Sequence, residues 1–285
     1  MKIYGNADKI KRISGAPRGA PVKIFKENNM KLKVMTYNIA SGRVFDRPMP
    51  EDKKYKSYLD LSRCMEVIRA VNPDFLGLNE INEDEKRFGC KSQPEEIAKG
   101  CGFEHWYFGK AISFPFSPDG AYGNAQCSHL PYVSTSTVHI PDPEIKNENA
   151  YYEHRAIIKN VIELPDGRRL CMMQVHVGLA IGEHQNAIVK LCEEIDSAEY
   201  PVILMGDFNM QPWDFLIDRI REKLVSATDA TGNKYIQTFP SNPELDSKPI
   251  SIDYIFVSPS IKVNKVGTYD SMASDHLPLW AELEV

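Results

Sequence analysis

In this 285-residue sequence, the residues able to do chemistry stand where apolar runs stop. VMTYNIASG carries Asn38 inside an otherwise apolar run. DFLGLNEIN ends on Asn79 and Glu80, and MMQVHVGL sets His176 between two valines. PVILMGDFNMQPWD runs into Asp207 and Asn209, which alternation along an extended chain places on one side. SIDYIFVSP and MASDHLPLW add Asp253, then Asp275 beside His276. A carboxylate at the end of an apolar run is costly unless it is ionised and paired, and a divalent cation is a natural partner. A buried amide such as Asn38 must be paired and can orient a ligand. A histidine beside a carboxylate can move protons near neutral pH. A donor set built from oxygen suits Mg²⁺ or Mn²⁺ rather than zinc. Cation-binding oxygen donors beside a histidine that can move protons are suited to activating a water for hydrolysis.

Taken singly, each has a plain structural reading. Asn38 reads equally as a paired core amide, His176 as a satisfied core histidine, Glu80 as a strand-end charge and Asp253 as a turn cap. The order in which they all recur, each at the end of an apolar run, carries the functional reading.

The runs themselves are rich in Val, Ile and aromatic residues and read as strands: Leu32–Ile39, Phe75–Leu78, Ala156–Leu164, Leu170–Val177, Val202–Met205, Ile252–Val257 and Leu277–Val285. Helical spacing puts Tyr58, Leu61, Met65 and Ile68 on one face of residues 55–71. It does the same for Ile188, Leu191, Cys192 and Ile195 in 184–196, and Leu216, Ile220 and Leu224 suggest a third helix. Phe103 to Tyr122 holds seven aromatics with Pro115, Pro118 and Gly120, and reads as a long loop overhanging the site through Phe114 and Phe116. Strands alternating with helices predict an α/β fold with reactive groups at strand ends.

Composition sets bounds. Apolar residues make up 42% and charged residues 26%, as in an ordinary globular protein. There is no membrane-length apolar run and no secretory leader, so a cytoplasmic location is expected. The six cysteines show no metal-like spacing and read as free thiols. Residues 1–33 carry nine Lys or Arg against Asp8 and Glu27, which leaves −12 on the body of a chain whose net charge is −5. The expected organisation is a basic extension over residues 1–30 and one catalytic domain over 31–285. The acidic body favours a small or lipid-headgroup phosphodiester over long duplex DNA. Oligomeric state is not written in the sequence.

MTYNI, LNE, YGNA (Tyr122–Ala125), EHRA (Glu153–Ala156), VHVGL, GDFN, IDYIF and SDHLP, in this order over residues 32 to 285, resemble the endonuclease/exonuclease/phosphatase superfamily with its deoxyribonuclease-I-like fold. The resemblance implies a four-layer sandwich of two packed mixed β-sheets flanked by helices. It implies metal-site residues Asn38, Glu80 and Asp275. Asp207 and Asn209 would activate the nucleophile and position the phosphate. Asp253 would orient His276, His176 would help protonate the leaving group, and Tyr122 and Arg155 would support substrate. Four departures stand out: Asn79 where Gln is common, His129 where a basic phosphate contact is usual, Ser251 where abasic-site repair enzymes place arginine, and no identifiable glutamate to orient His176. The expected function is a metal-dependent phosphodiesterase. A nuclease, a phosphomonoesterase and a binding module without catalysis are the alternatives.

Overall fold

The computed structural model describes residues 30–43, 45, 59–83, 92–114, 117–147, 149, 151–233, 235–244 and 248–285. The basic N-terminal extension and Phe116 lie outside the described residues. In chain order the first half runs β1 (Lys31–Asn38), α1 (Leu61–Val71), β2 (Phe75–Glu83), α2 (Gln93–Cys101), β3 (His105–Phe114), β4 (Ser117–Ser128), β5 (Tyr132–Ser134) and β6 (Thr137–Ile140). The second half runs β7 (Arg155–Glu163), β8 (Arg169–His176), α3 (Ile181–Asp196), β9 (Val202–Asp207), α4 (Phe215–Arg221), β10 (Val225–Ser226), α5 (Ala227–Ala230), β11 (Asp253–Val257), β12 (Lys262–Thr268) and β13 (Leu279–Glu284).

One sheet has the order β12-β13-β1-β2-β4-β3, and the other β10-β11-β9-β8-β7-β5 with β6 also on β7. Both are mixed, because β1 and β2 are parallel in the first and β8 and β9 in the second. Alternation along each strand explains the layering. Leu32 and Val34 of β1 face a core shared with Met172, Ile203, Met205 and Ile255 of the other sheet, whereas Met35 and Tyr37 face α1 and α2. The outer face of the second sheet is covered by α3 and α4 through Ala187, Ile188, Leu191, Ile217 and Ile220. The result is helices, sheet, sheet, helices, with the three apolar cores between the layers.

The seven expected strands are present, most with ends within a residue or two of the anticipated ones; β2 extends furthest, to Glu83. The α1 helix starts at Leu61, where Asp60 accepts the Ser62 N–H as an N-cap; residues 55–58 lie outside the described residues. The reading of Phe103 to Tyr122 as a long loop is wrong. Most of it is β3 and the start of β4, paired antiparallel from His105↔Ser128 to Phe114↔Ser117. Trp106, Tyr107 and Phe108 lie on β3, and Phe103 is buried against the outer core. Among the described residues no helix is long and apolar enough to cross a membrane.

Candidate active site

Strand register builds the centre of the site. On the parallel pair β8–β9, His176 stands opposite Asp207, and on the antiparallel pair β9–β11, Asp207 stands opposite Asp253. Three neighbouring strands therefore present histidine, carboxylate and carboxylate side by side, at a spacing of about 4.8 Å set by the sheet itself. Gly206 permits this. Its φ is +146°, and a Cβ there would lie 1.9 Å from the Val175 carbonyl oxygen, so only glycine lets β9 run this close to β8.

The first sheet contributes from across the sandwich. Asn38 ends β1, and its amide nitrogen donates to Asp207 Oδ2 at 3.0 Å and to Glu80 Oε1 at 3.2 Å. Its amide oxygen accepts the Ala40 N–H, the start of a tight turn in which Ala40, Ser41 and Gly42 all have positive φ. That turn delivers Arg43 to Glu80, 3.5 Å away. Glu80 sits on a β-bulge of β2, between Leu78 and Ile81, with φ of +55°. The bulge turns a side chain that regular pleating would bury into the cavity instead.

Asp275 and His276 come from the loop before β13. His276 Nδ1 donates to Asp253 Oδ2 at 2.9 Å, and its Nε2 lies 3.6 Å from Asp207 Oδ2. Burial opposes a charge on this ring, but Asp253 and Asp207 together outweigh it and push His276 up to about 10. Burial pushes the Asp207 carboxyl up to about 7 against the pull of His276. Phe239 covers the imidazole, ring centroids 5.0 Å apart.

A cavity of about 660 Å³ opens over these groups. Glu80, Tyr122, Arg155, His176, Asp207, Asn209, Asp275 and His276 line it, with Phe239, Ile250 and Ile252 as an apolar wall. Tyr122 is half-buried in the wall, its hydroxyl raised well above the usual range by desolvation and by Glu80. Among the described residues Asp207, Asp253 and His276 form a cluster of three ligand-type groups with atoms within 4.8 Å. Within that cluster the His276 ring already occupies Asp253 Oδ2 through Nδ1. Glu80 and Asp275 are the better match to a hard cation. Asp275 is raised by burial, drawn down by His276 and pushed up again by Glu80, so two carboxylates repel each other on one cavity. A divalent cation relieves such a pair.

The residues read from the sequence as metal-binding, catalytic and supporting therefore meet on one cavity, or, for Asn38 and Asp253, directly behind its lining. Three of the noted departures resolve. Asn79 is a hub: its amide oxygen accepts the Asp207 N–H at 3.2 Å and Gln174 Nε2 at 2.9 Å, while its nitrogen donates to Asn124 and the Val175 carbonyl. His129 lies at the far end of β4, bonded to Glu104 at 2.7 Å and stacked on Phe103, and has no bearing on a bound phosphate. The place beside His176 Nδ1 is taken by an arginine, Arg155, at 2.7 Å. Arg43 escaped the sequence reading, since an exposed-looking basic residue in a turn carries no signal of its own. Glu183, which accepts the Glu153 N–H behind Arg155, escaped as well, while Glu153 is marked only as the first residue of EHRA.

A model of the Endonuclease/Exonuclease/phosphatase family matches residues 35–276. No curated protein matches the sequence. Among solved structures, the endonuclease/exonuclease/phosphatase from Beutenbergia cavernae DSM 12333 is 23% identical with a TM-score of 0.72, over 90% of this chain and 72% of its own. The mannosyl-6-phosphatase of Bacteroides thetaiotaomicron VPI-5482 is 18% identical with a TM-score of 0.66, over 89% of this chain and 100% of its own. ANGEL2, a 2′,3′-cyclic phosphatase, is 16% identical with a TM-score of 0.67, over 90% and 96%. At these identities the likeness is one of fold.

Proposed function

The chain belongs to the endonuclease/exonuclease/phosphatase family, and from that premise we propose that it is a divalent-metal-dependent hydrolase that cleaves a small or lipid-headgroup phosphodiester. The observation that carries this reading is the row His176–Asp207–Asp253, with His276 between two carboxylates, on a cavity that also receives Glu80 and Asp275.

Glu80 and Asp275 would hold the cation, Mg²⁺ or Mn²⁺, with Asn38 beside them. When bound, the cation neutralises charge on the phosphoryl oxygens. Asp207 takes the proton of the attacking water, a task suited to a carboxylate whose affinity for protons burial has raised. Asn209 has φ of +50°, and its amide is held by the Val177 carbonyl at 2.8 Å, which fixes a donor at the phosphate position. Asp253 keeps His276 protonated and oriented, so that Nε2–H is directed at the cavity as a charged hydrogen-bond donor to a phosphoryl oxygen. Tyr122 and Arg155 wall the pocket where the rest of the substrate would lie.

Substrate size follows from the cavity and from charge. A volume of about 660 Å³ suits a small ligand, the wall of Phe239, Ile250 and Ile252 suits an apolar or planar part of it, and an acidic body repels long polyanions. The fold likeness to a mannosyl-6-phosphatase supports a phosphomonoester as the second reading.

The test is a metal-supplemented screen across phosphomonoesters, small phosphodiesters, DNA, RNA and phospholipids. Hydrolysis of a small phosphodiester that stops on chelation is the expected result. Full activity in excess chelator would end the metal-dependent reading, and inertness towards every phosphoester would end the hydrolase reading.

A further inference from the structure

Arg155 is a buried side chain pressed against a histidine. Its Nη1 lies 2.7 Å from His176 Nδ1, and its Nη2 lies 2.8 Å from Glu153 Oε2. A guanidinium has only N–H donors and no acceptor, so at 2.7 Å the histidine Nδ1 must be the accepting nitrogen. A neutral imidazole that accepts at Nδ1 carries its proton on Nε2. Protonating Nδ1 as well would set two N–H groups and two positive charges head-on in a buried site. Burial, then Arg155, then His276 all work in that direction and hold His176 well below the usual histidine range.

The arginine is fixed from behind. Glu153 takes its Nη2, the Glu153 backbone N–H donates to Glu183 Oε1 at 3.1 Å, and Glu183 Oε2 accepts the Ala180 N–H at the start of α3. The backbone makes room for this arrangement at Gly178, where a Cβ would lie 2.2 Å from Glu183 Cδ. On the cavity side, His176 Nε2 is 3.5 Å from Asp207 Oδ2 and 3.5 Å from the Asn209 amide nitrogen. The first distance is long for a hydrogen bond; the second is a meeting of two donors once Nδ1 accepts from Arg155 and Nε2 carries the ring proton, because an amide nitrogen only donates. Nε2–H is thus aimed into the cavity.

We infer that Arg155 is a positioning residue that locks His176 as the neutral, Nε2-protonated imidazole, so that His176 serves as a hydrogen-bond donor to the phosphoryl group and not as the acid that protonates the leaving group. The second half of this rests on the hydrolase reading above; the ring state does not. It replaces the leaving-group role expected for His176 from the family resemblance.

The experiment is ¹⁵N NMR of histidine-labelled full-length protein at neutral pH, with the His176 signals assigned through His176→Gln. The ring should show the Nε2–H tautomer in the parent and in Arg155→Lys, since lysine also only donates. It should lose that tautomer in Arg155→Met. With a cleaved substrate in hand, His176→Gln, which keeps an N–H donor but cannot give up a proton, should hold turnover within about tenfold, whereas His176→Ala should lose about 10²-fold. An imidazolium or Nδ1–H ring in the parent overturns the proposal. So does an unchanged tautomer in Arg155→Met, or equal losses in Gln and Ala. Should Arg155→Met not fold, the parent and Arg155→Lys spectra still decide. A protein inert to every phosphoester but with the Nε2–H ring would refute the hydrolase reading alone.

Discussion

His276 and His176 lie on either side of Asp207, 3.6 Å and 3.5 Å from the same carboxylate oxygen, and are supported by groups of opposite sign. Behind His276 stands Asp253, which accepts from Nδ1. Behind His176 stands Arg155, which donates to Nδ1. One ring is pushed up to about 10 and the other held down, although both are almost fully buried. Burial alone would have made both neutral, so the second neighbour decides the charge. Two identical side chains sharing one carboxylate thereby acquire two protonation states, a common way for a site to divide labour between like groups.

Removing the charged ring should do most damage. His276→Ala is expected to slow turnover by roughly 10³-fold, and His176→Ala by roughly 10²-fold, each with an unchanged circular dichroism spectrum. Steady-state rates on one phosphodiester check this, and equal losses would erase the distinction between the rings. Two acids come next, Glu80 on the cavity wall and Asp253 behind His276. Glu80→Ala should raise the Mg²⁺ concentration needed for half-maximal activity by about 10- to 100-fold, followed by metal titration and by calorimetry. Asp253→Asn should cost about tenfold in rate. An amide can still accept from Nδ1, so the ring stays in place, but the negative charge that favours imidazolium is gone. His276 should then lose its proton at lower pH than in the parent, which NMR titration would show. The smallest effect belongs to Phe239→Leu, which uncovers His276 without touching its hydrogen bonds; a loss of no more than a few-fold is expected.

Much of this site could be read from the sequence because each working residue interrupts an apolar run. Asn38, Glu80, His176, Asp207 and His276 are conspicuous there, since a polar group inside or at the end of a buried strand needs a reason. The pairing of strands could not be read, and the opposition of His176, Asp207 and Asp253 follows from pairing alone. Sequence also concealed what charges the rings. Arg155 is visible only as a supporting position and Glu153 only as the first residue of EHRA, and Glu183 is not visible at all, because a hydrogen bond to a backbone N–H thirty residues away leaves no local pattern. The hairpin of β3 and β4 reads as a loop in the sequence because the prolines and glycine near its turn are loop signals and its run of adjacent aromatics has no period of two. The α2 helix passed unnoticed although Ser92 as N-cap, Pro94 and Glu95 announce it.

The hub at Asn79 has a mechanical side. The working groups are divided between two sheets, and apolar cores of the kind between Val34, Met172 and Ile255 resist separation far better than they resist sliding. Asn79, Gln174 and Thr36 are hydrogen-bonded across that boundary, and Gln126 and Asn160 repeat the device further along, with Gln126 donating to the Met172 carbonyl. These amides act as keys in a keyway. Any slip of one sheet past the other would unseat several buried donors and acceptors at once, so Asn38 and Glu80 cannot drift out of alignment with Asp207 while loops around the rim change freely.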